Sequence, residues 1–248
     1  MTVCKTSGEA WQSQLCGELA EGRLPSACRT VYEGRNRVLA CNIADIEGEV
    51  NIKAFRLPGA IKGAIYGWLR PSKARRSYEY SLRLLELGVA TPRPYAYVEC
   101  YSAAHTLGAS FYVSEQLGPE WREIRYMEER PDYEGMVEAL GKWVARVHAV
   151  GVYVKDLSPG NILFCKRGGE FDFCMVDVNR MGFGCTDRRR QLYRAGWLMN
   201  SEESSADFAR HYAAACGMDS DEAESIVLGS YRRLQRRAAR KHRNKKLQ

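Results

Sequence analysis

GVYVKDLSPGNILF, residues 151–164, sets an aspartate, Asp156, five positions ahead of an asparagine, Asn161, across a Ser-Pro-Gly turn. Two such groups can serve one phosphoryl transfer. The carboxylate would orient an attacking hydroxyl and accept its proton, while the amide oxygen would hold a magnesium ion that neutralises the moving charge. Taken alone the run is also an ordinary turn, since Ser, Pro, Gly and Asn are turn formers. Its neighbours separate the two readings.

After Asn161 come an apolar run, 162–165, a Lys-Arg-Gly-Gly turn and a second run, 171–178, with Asp177 between Val176 and Val178. This predicts a hairpin with a carboxylate near its exit. The plain alternative is a polar residue at a strand end, but a carboxylate in so apolar a run asks for a cation or donor, because burying it unpaired is costly. The order is that of a kinase, whose catalytic loop has this Asp-to-Asn spacing and whose magnesium-chelating aspartate lies one hairpin further on. Upstream, Val50-Asn51-Ile52-Lys53-Ala54-Phe55 alternates like a half-buried strand and resembles the kinase strand whose lysine pairs with the inner phosphates. Residues 73–87 predict a helix able to supply the glutamate that partners this lysine. Tyr78, Leu82 and Leu85 mark its apolar stripe, with Glu79 beside it and Glu86 as fallback in the last turn before Gly88. Singly, Lys53 and Glu79 read as solvated charges; together with Asp156, Asn161 and Asp177 they stand in kinase order.

The runs KAFRLPG (53–59), SKARRSYEYSLRLLELGVATPRPYAYVE (72–99), VHAVGVYVKDLSPGNILF (147–164) and MVDVNRMGF (175–183) resemble the lipopolysaccharide kinase (Kdo/WaaP) family, a branch of the protein-kinase-like fold. The resemblance extends from about Val31 to Phe183. It implies ATP-dependent phosphorylation of a sugar hydroxyl of the lipopolysaccharide inner core, on Kdo or a heptose, at the cytoplasmic face of the inner membrane. Carried onto matching positions, it makes Lys53 the phosphate lysine, Glu79 its partner, Asp156 the catalytic aspartate, and Asn161 and Asp177 the magnesium ligands.

The chain departs from the kinase pattern in places. Val154 stands where the loop usually has a packing histidine, and Lys155 replaces an arginine. Ser158 sits where a kinase acting on protein hydroxyls carries a lysine, which favours a sugar or small-molecule acceptor. The only phosphate-covering turn on offer is Tyr32-Glu33-Gly34-Arg35-Asn36, with a single glycine. Asn179-Arg180 replaces Phe-Gly after Asp177, and no long activation segment follows.

Strands are predicted over 95–103 and 110–117, split by a His-Thr-Leu-Gly turn. The backbone from Glu115 to Leu117 is expected to bind the adenine as a hinge. A helix is expected from Asp132 to Val150, with Met136, Leu140, Trp143 and Val147 on one face and Gly151 ending it. His148 lies in that helix and is assigned no chemistry. The 248 residues, 45% of them hydrophobic, suffice for one two-lobed unit. There is no apolar run of signal or membrane-spanning length, so a cytoplasmic protein is expected. Nine cysteines, odd in number and without a C-x-x-C pair, read as buried reduced thiols, and no zinc-ligand spacing accompanies the four histidines.

The net charge of +7 is unevenly placed. Residues 231–248 hold nine Lys or Arg and no acid, leaving 28 basic against 30 acidic residues elsewhere. Val227, Tyr231, Leu234 and Ala238 keep helical spacing, predicting a docked helix that ends in a cationic tail. Such a tail is either inert, drawn to anionic lipid, or a nucleic-acid contact; a lipid-linked acceptor favours the membrane, and no nucleic acid is expected. The segment 56–76 mixes Ile61, Ile65, Trp68 and Leu69 with basic residues. It is read either as an interfacial segment or as side chains packed beneath the small lobe.

The expected architecture is a protein-kinase-like, two-lobed α+β fold. It comprises a five-stranded antiparallel N-lobe (1–117), a mainly helical C-lobe (118–230) and a basic tail (231–248). The expected ligands are ATP and magnesium; the expected partners are a lipopolysaccharide core or lipid A-Kdo precursor and an anionic membrane surface. The alternatives are a kinase acting on a protein or soluble small molecule, and a catalytically silent kinase-like binding module.

Overall fold

The computed structural model describes residues 1–43, 46–155 and 157–246, with side chains described to residue 240. The chain forms two compact units, Met1–Gly118 with Asp177–Asn179, and Pro119–Val176 with Arg180–Gln248.

The first unit is built on strands β1 (Thr2–Thr6), β2 (Cys28–Glu33), β3 (Arg37–Asn42), β4 (Glu49–Phe55), β5 (Pro94–Tyr101) and β6 (Leu107–Glu115), with helices α1 (Ala10–Ala20), α2 (Ala60–Trp68) and α3 (Lys73–Glu86). The strands make one antiparallel sheet in the order β1-β5-β6-β4-β3-β2. Alternation along β4 sends Val50 and Ile52 to one face, where they meet Leu15 and Leu19 of α1, Leu39, Val98 and Val113. Phe55 goes to the other face with Ala74 and Tyr78 of α3, Tyr97 and Tyr112. Lys53 shares the parity of Phe55, and its Nζ lies 5.5 Å from that ring.

Three expectations are corrected here. The sheet has six strands rather than five, because the N-terminal segment contributes β1, paired with β5, as well as α1. The cysteines are not all buried thiols. Cys28 and Cys41 stand directly opposite in the β2–β3 register, Cα atoms 4.0 Å apart, and form a disulfide, while Cys4 is exposed. The inward stripe of α3 is Ala74, Ser77, Tyr78, Ser81 and Leu84; Leu82 and Leu85 are exposed. Small serines let the helix lie close to the sheet, where Ser81 Oγ is 2.9 Å from Tyr112 Oη.

The second unit contains β7 (Arg122–Glu123), α4 (Tyr133–Ala149), β8 (Tyr153–Val154), β9 (Ile162–Arg167), β10 (Glu170–Met175), β11 (Met181–Gly182), α5 (Arg188–Ala195), α6 (Glu202–Cys216) and α7 (Ser220–Lys246). Strands β9 and β10 form the expected hairpin, turned by Gly168 and Gly169 at φ +57° and +92°, with β7 alongside β9. Helix α4 buries Met136, Leu140, Trp143 and Val147, and Trp143 meets Phe173 of the hairpin at 5.6 Å. His148 is buried with Nδ1 3.0 Å from Tyr212 Oη of α6. Burial, reinforced by the charge of Arg188, depresses its pKa to about 3, so it is a neutral structural residue. Helix α7 docks through Ala223, Val227 and Tyr231, and its surface from Gln235 to Arg240 is exposed. Among the described residues no helix is long and apolar enough to cross a membrane.

Candidate active site

Four side chains in the first unit lock together. Lys53, central in β4, donates from Nζ to Asp177 Oδ1 at 2.5 Å, joining residues 124 apart in sequence. Asp177 stands two residues beyond β10 with φ +57°, a left-handed backbone that aspartate tolerates better than most side chains. Asn179 Nδ2 donates to the same oxygen at 2.6 Å. Arg76, buried on α3, donates from Nη1 to the Asn179 carbonyl at 2.9 Å and from Nε to the Ser72 carbonyl at 3.2 Å. Ser72 caps the start of α3 by accepting from the Arg75 amide. The helix start thus holds the backbone of 177–179, which aims one carboxylate oxygen at Lys53. Among the described residues no bond engages Asp177 Oδ2.

The expected Lys53–Glu79 pair is not formed. Arg75, one turn before Glu79 on α3, donates to its Oε1 at 2.8 Å, and Asp177 takes Lys53 instead. Asn161 closes a 3₁₀ turn, Pro159–Asn161, at the entry to β9. Its amide donates to the Ser158 carbonyl and its carbonyl accepts from the Val176 amide, both at 2.9 Å, so it is pegged to the residue preceding Asp177. Asp156 lies outside the described residues. Its neighbours Val154 and Leu157 are buried, and Lys155 N–H donates to the Arg180 carbonyl at 3.0 Å. Val154 therefore packs, as expected of the residue that replaces a histidine there.

At the predicted hinge, the Glu115 amide donates to the Arg93 carbonyl at 2.8 Å and the Gln116 amide to the Glu49 carbonyl at 3.2 Å. Those donors are engaged; among the described residues no acceptor engages the Leu117 amide. The single-glycine turn joins β2 to β3, and Asn36 Oδ1 accepts from the Arg56 amide at 3.3 Å.

Arg76, Asn179 and Arg125 have no counterpart in the sequence reading. Arg125, paired with Glu123, lies so close to Gly160 that a Cβ there would overlap its guanidinium, which puts a cation against the Pro159–Asn161 turn. Arg76 bonds to backbone carbonyls, an interaction that leaves no side-chain pattern. Asn179 is conspicuous in the sequence only as the residue that replaces a phenylalanine after Asp177, which says nothing of its bond to that carboxylate.

The model of the lipopolysaccharide kinase (Kdo/WaaP) family matches residues 69–212, which include Glu79, Asp156, Asn161 and Asp177. This chain belongs to that family. A curated relative, 3-deoxy-D-manno-octulosonic acid kinase from Vibrio parahaemolyticus serotype O3:K6 (strain RIMD 2210633), is 32% identical over 113 residues, 44% of this chain and 46% of the relative. The alignment thus spans about half the length of that relative. Among solved structures, one titled WaaP in complex with acyl carrier protein superposes with a TM-score of 0.61 at 21% identity, covering 96% of this chain and 98% of that one. The Rio2 kinase from Chaetomium thermophilum, solved as an ADP/Mg2+-phosphoaspartate complex, gives a TM-score of 0.52 at 13% identity over 94% of this chain and 81% of its own. The Kdo/WaaP family member therefore has a protein-kinase-like α+β fold.

Proposed function

We propose that this chain transfers the γ-phosphoryl group of ATP, with magnesium, to a sugar hydroxyl of the lipopolysaccharide inner core, on Kdo or a heptose, at the cytoplasmic face of the inner membrane. The observation that carries the reading is the Lys53–Asp177 contact, with Asp177 in a left-handed backbone and its carboxylate held by Asn179. A cation and a carboxylate so placed suit a phosphate chain and its metal ion respectively. Among the described residues no bond engages Asp177 Oδ2, which suits magnesium, an ion that takes few protein ligands and completes its shell with phosphates and water; the side-chain amide oxygen of Asn161 would be its second protein ligand. When bound, the ion would screen the charge of the phosphates. Lys53 would hold the inner phosphates, and Glu79, paired with Arg75 in this structure, would have to exchange that arginine to become its partner. The backbone of Glu115 to Leu117 would meet the adenine through the Leu117 amide. Asp156 would orient the acceptor hydroxyl and take its proton. The Arg125 cation beside Gly160 suits an acidic sugar, as the name of the curated relative describes for that enzyme.

The test is phosphate transfer from labelled ATP to a lipid A-Kdo acceptor, with mass spectrometry of lipid A-core from cells with and without the protein. Wild-type protein is expected to add one phosphate. Asp156→Asn is expected to lower turnover by roughly 10²- to 10⁴-fold while nucleotide binding persists. Wild-type turnover in Asp156→Asn would remove that residue from its role, and an unchanged core in cells lacking the protein would remove the acceptor.

A further inference from the structure

Helix α2 is built inside out. Large apolar side chains of a surface helix normally face the core, yet here Ile61, Trp68 and Leu69 are 81%, 71% and 81% exposed, with Ile65 and the preceding Leu57 also exposed. The opposite face carries glycine. At about 100° per residue, Gly63 and Gly67 fall across the helix from Ile61, Ile65 and Trp68, and they rest on the turn between β5 and β6. A Cβ at position 63 would stand 2.6 Å from Thr106 Cγ2 and 2.9 Å from the Leu107 carbonyl oxygen, and one at 67 would overlap the His105 carbonyl oxygen. The helix therefore seats its backbone directly on the hairpin. Trp68 meets the His105 ring edge-on at 5.2 Å, and Tyr101 stacks on that ring at 4.6 Å, which fixes the seat.

The charge around this ridge has one sign. From Val50 to Tyr78 there is no acidic residue, and Arg56, Lys62 and Arg70 are exposed before, within and after the helix. We propose that α2 docks this protein on an anionic lipid bilayer, with Ile61, Ile65, Trp68 and Leu69 entering the headgroup region and Arg56, Lys62 and Arg70 meeting lipid phosphates. Exposed apolar side chains of this density mark a binding surface. Aliphatic tips with a tryptophan and basic flanks are the pattern of a helix lying in an interface. Each basic group near an anionic surface adds to the attraction. A bilayer accommodates a protruding ridge without a matching groove, which favours lipid over an acidic protein. The inference deepens the proposed function, resting on it for the purpose of bringing the enzyme to a lipid-linked acceptor; vesicle binding needs neither ATP nor acceptor, so the two can fail separately.

The test is flotation of the full chain with phosphatidylglycerol-containing vesicles and with pure phosphatidylcholine vesicles, for wild type and for Trp68→Ser/Leu69→Ser. Wild type is expected to float with the anionic vesicles only, and the double variant to bind roughly tenfold more weakly or worse. Its circular dichroism, thermal unfolding and turnover on detergent-dispersed acceptor should match wild type. Unchanged vesicle binding by the folded variant overturns the proposal. So does a wild-type chain that ignores vesicles but forms a dimer, or binds an acidic protein, through contacts the double variant loses. If the double variant misfolds, Ile61→Gln replaces it under the same criteria.

Discussion

Asp177 occupies a left-handed backbone region that costs a non-glycine residue roughly 1–3 kcal/mol, so neighbouring bonds must hold it there. Two of its anchors are visible. Asn179 Nδ2 fixes the carboxylate, and the buried Arg76 fixes the carbonyl of Asn179. In the proposed reaction Asn179 acts through Asp177, as a positioning residue. Asn179→Ala should raise the magnesium concentration for half-maximal turnover by roughly 10- to 100-fold, the usual effect of losing a group that orients a metal ligand. Lys53→Ala should instead weaken nucleotide binding at every magnesium concentration. A magnesium titration of ATP turnover, beside a nucleotide-binding isotherm, separates the two; an unshifted magnesium dependence in Asn179→Ala would leave Asn179 with a packing role only. Kinase order brought Lys53 and Asp177 into one reading, helped by a lysine in an alternating strand and an aspartate in an apolar run each being conspicuous by type. Arg76 looked like one more charge in Lys73-Ala74-Arg75-Arg76, and nothing in that run tells the buried arginine from the one paired with Glu79.

At the level of elements, helix α4 and the β9–β10 hairpin were legible because their periodicity, glycine turns and length agree. The α3 stripe was not, since hydrophobicity points to Leu82 and Leu85 whereas close packing on the sheet selects Ala74, Ser77 and Ser81. Strand β1 and helix α1 were missed for a related reason. β1 is a five-residue edge strand with little burial, and α1 is only weakly amphipathic. The joint between α4 and α6 offers a test of a buried histidine. His148 binds a proton at about pH 6.5 when unfolded but only near pH 3 when folded, because burial and Arg188 oppose the charge. The unfolded chain thus takes up the proton first as pH falls, and stability present above about pH 6.5 is lost on the way to pH 3, with a limiting slope of about 1.4 kcal/mol per pH unit. His148→Asn keeps an acceptor near Tyr212 Oη without that titration. Urea unfolding at about pH 7.5 and about pH 5.5 should show a pH-dependent loss smaller by about 1.4 kcal/mol in the variant than in wild type. Equal losses would mean that His148 titrates alike in both states.

Charge is a property of the whole molecule, and here it is concentrated at the end of α7. Ala223 and Val227 are buried, Tyr231 Oη donates to the Asn200 carbonyl at 2.7 Å, and Arg232 pairs with Glu202 at 2.6 Å, so the helix is held as far as its fourth turn. Beyond Leu234 the described side chains face solvent, and residues 235–248 carry seven of the nine basic groups of the tail. The helical spacing of Val227, Tyr231 and Leu234 made the docked part legible. Ala238 extended the pattern one turn too far because alanine keeps helical spacing whether or not anything covers it. Deleting 235–248 should therefore change unfolding free energy by no more than about 0.5 kcal/mol, as surface changes usually do. It should weaken binding to anionic vesicles at low ionic strength. That deficit should shrink as salt rises, because exposed charges are screened within about 8 Å at physiological ionic strength. The deficit of Trp68→Ser/Leu69→Ser should persist in high salt, because apolar insertion by α2 is not electrostatic. Vesicle binding of the two variants across a salt series thus reads the two contributions separately. A tail deletion that unfolds the protein, or whose deficit ignores salt, would show that the segment supports the fold rather than the surface charge.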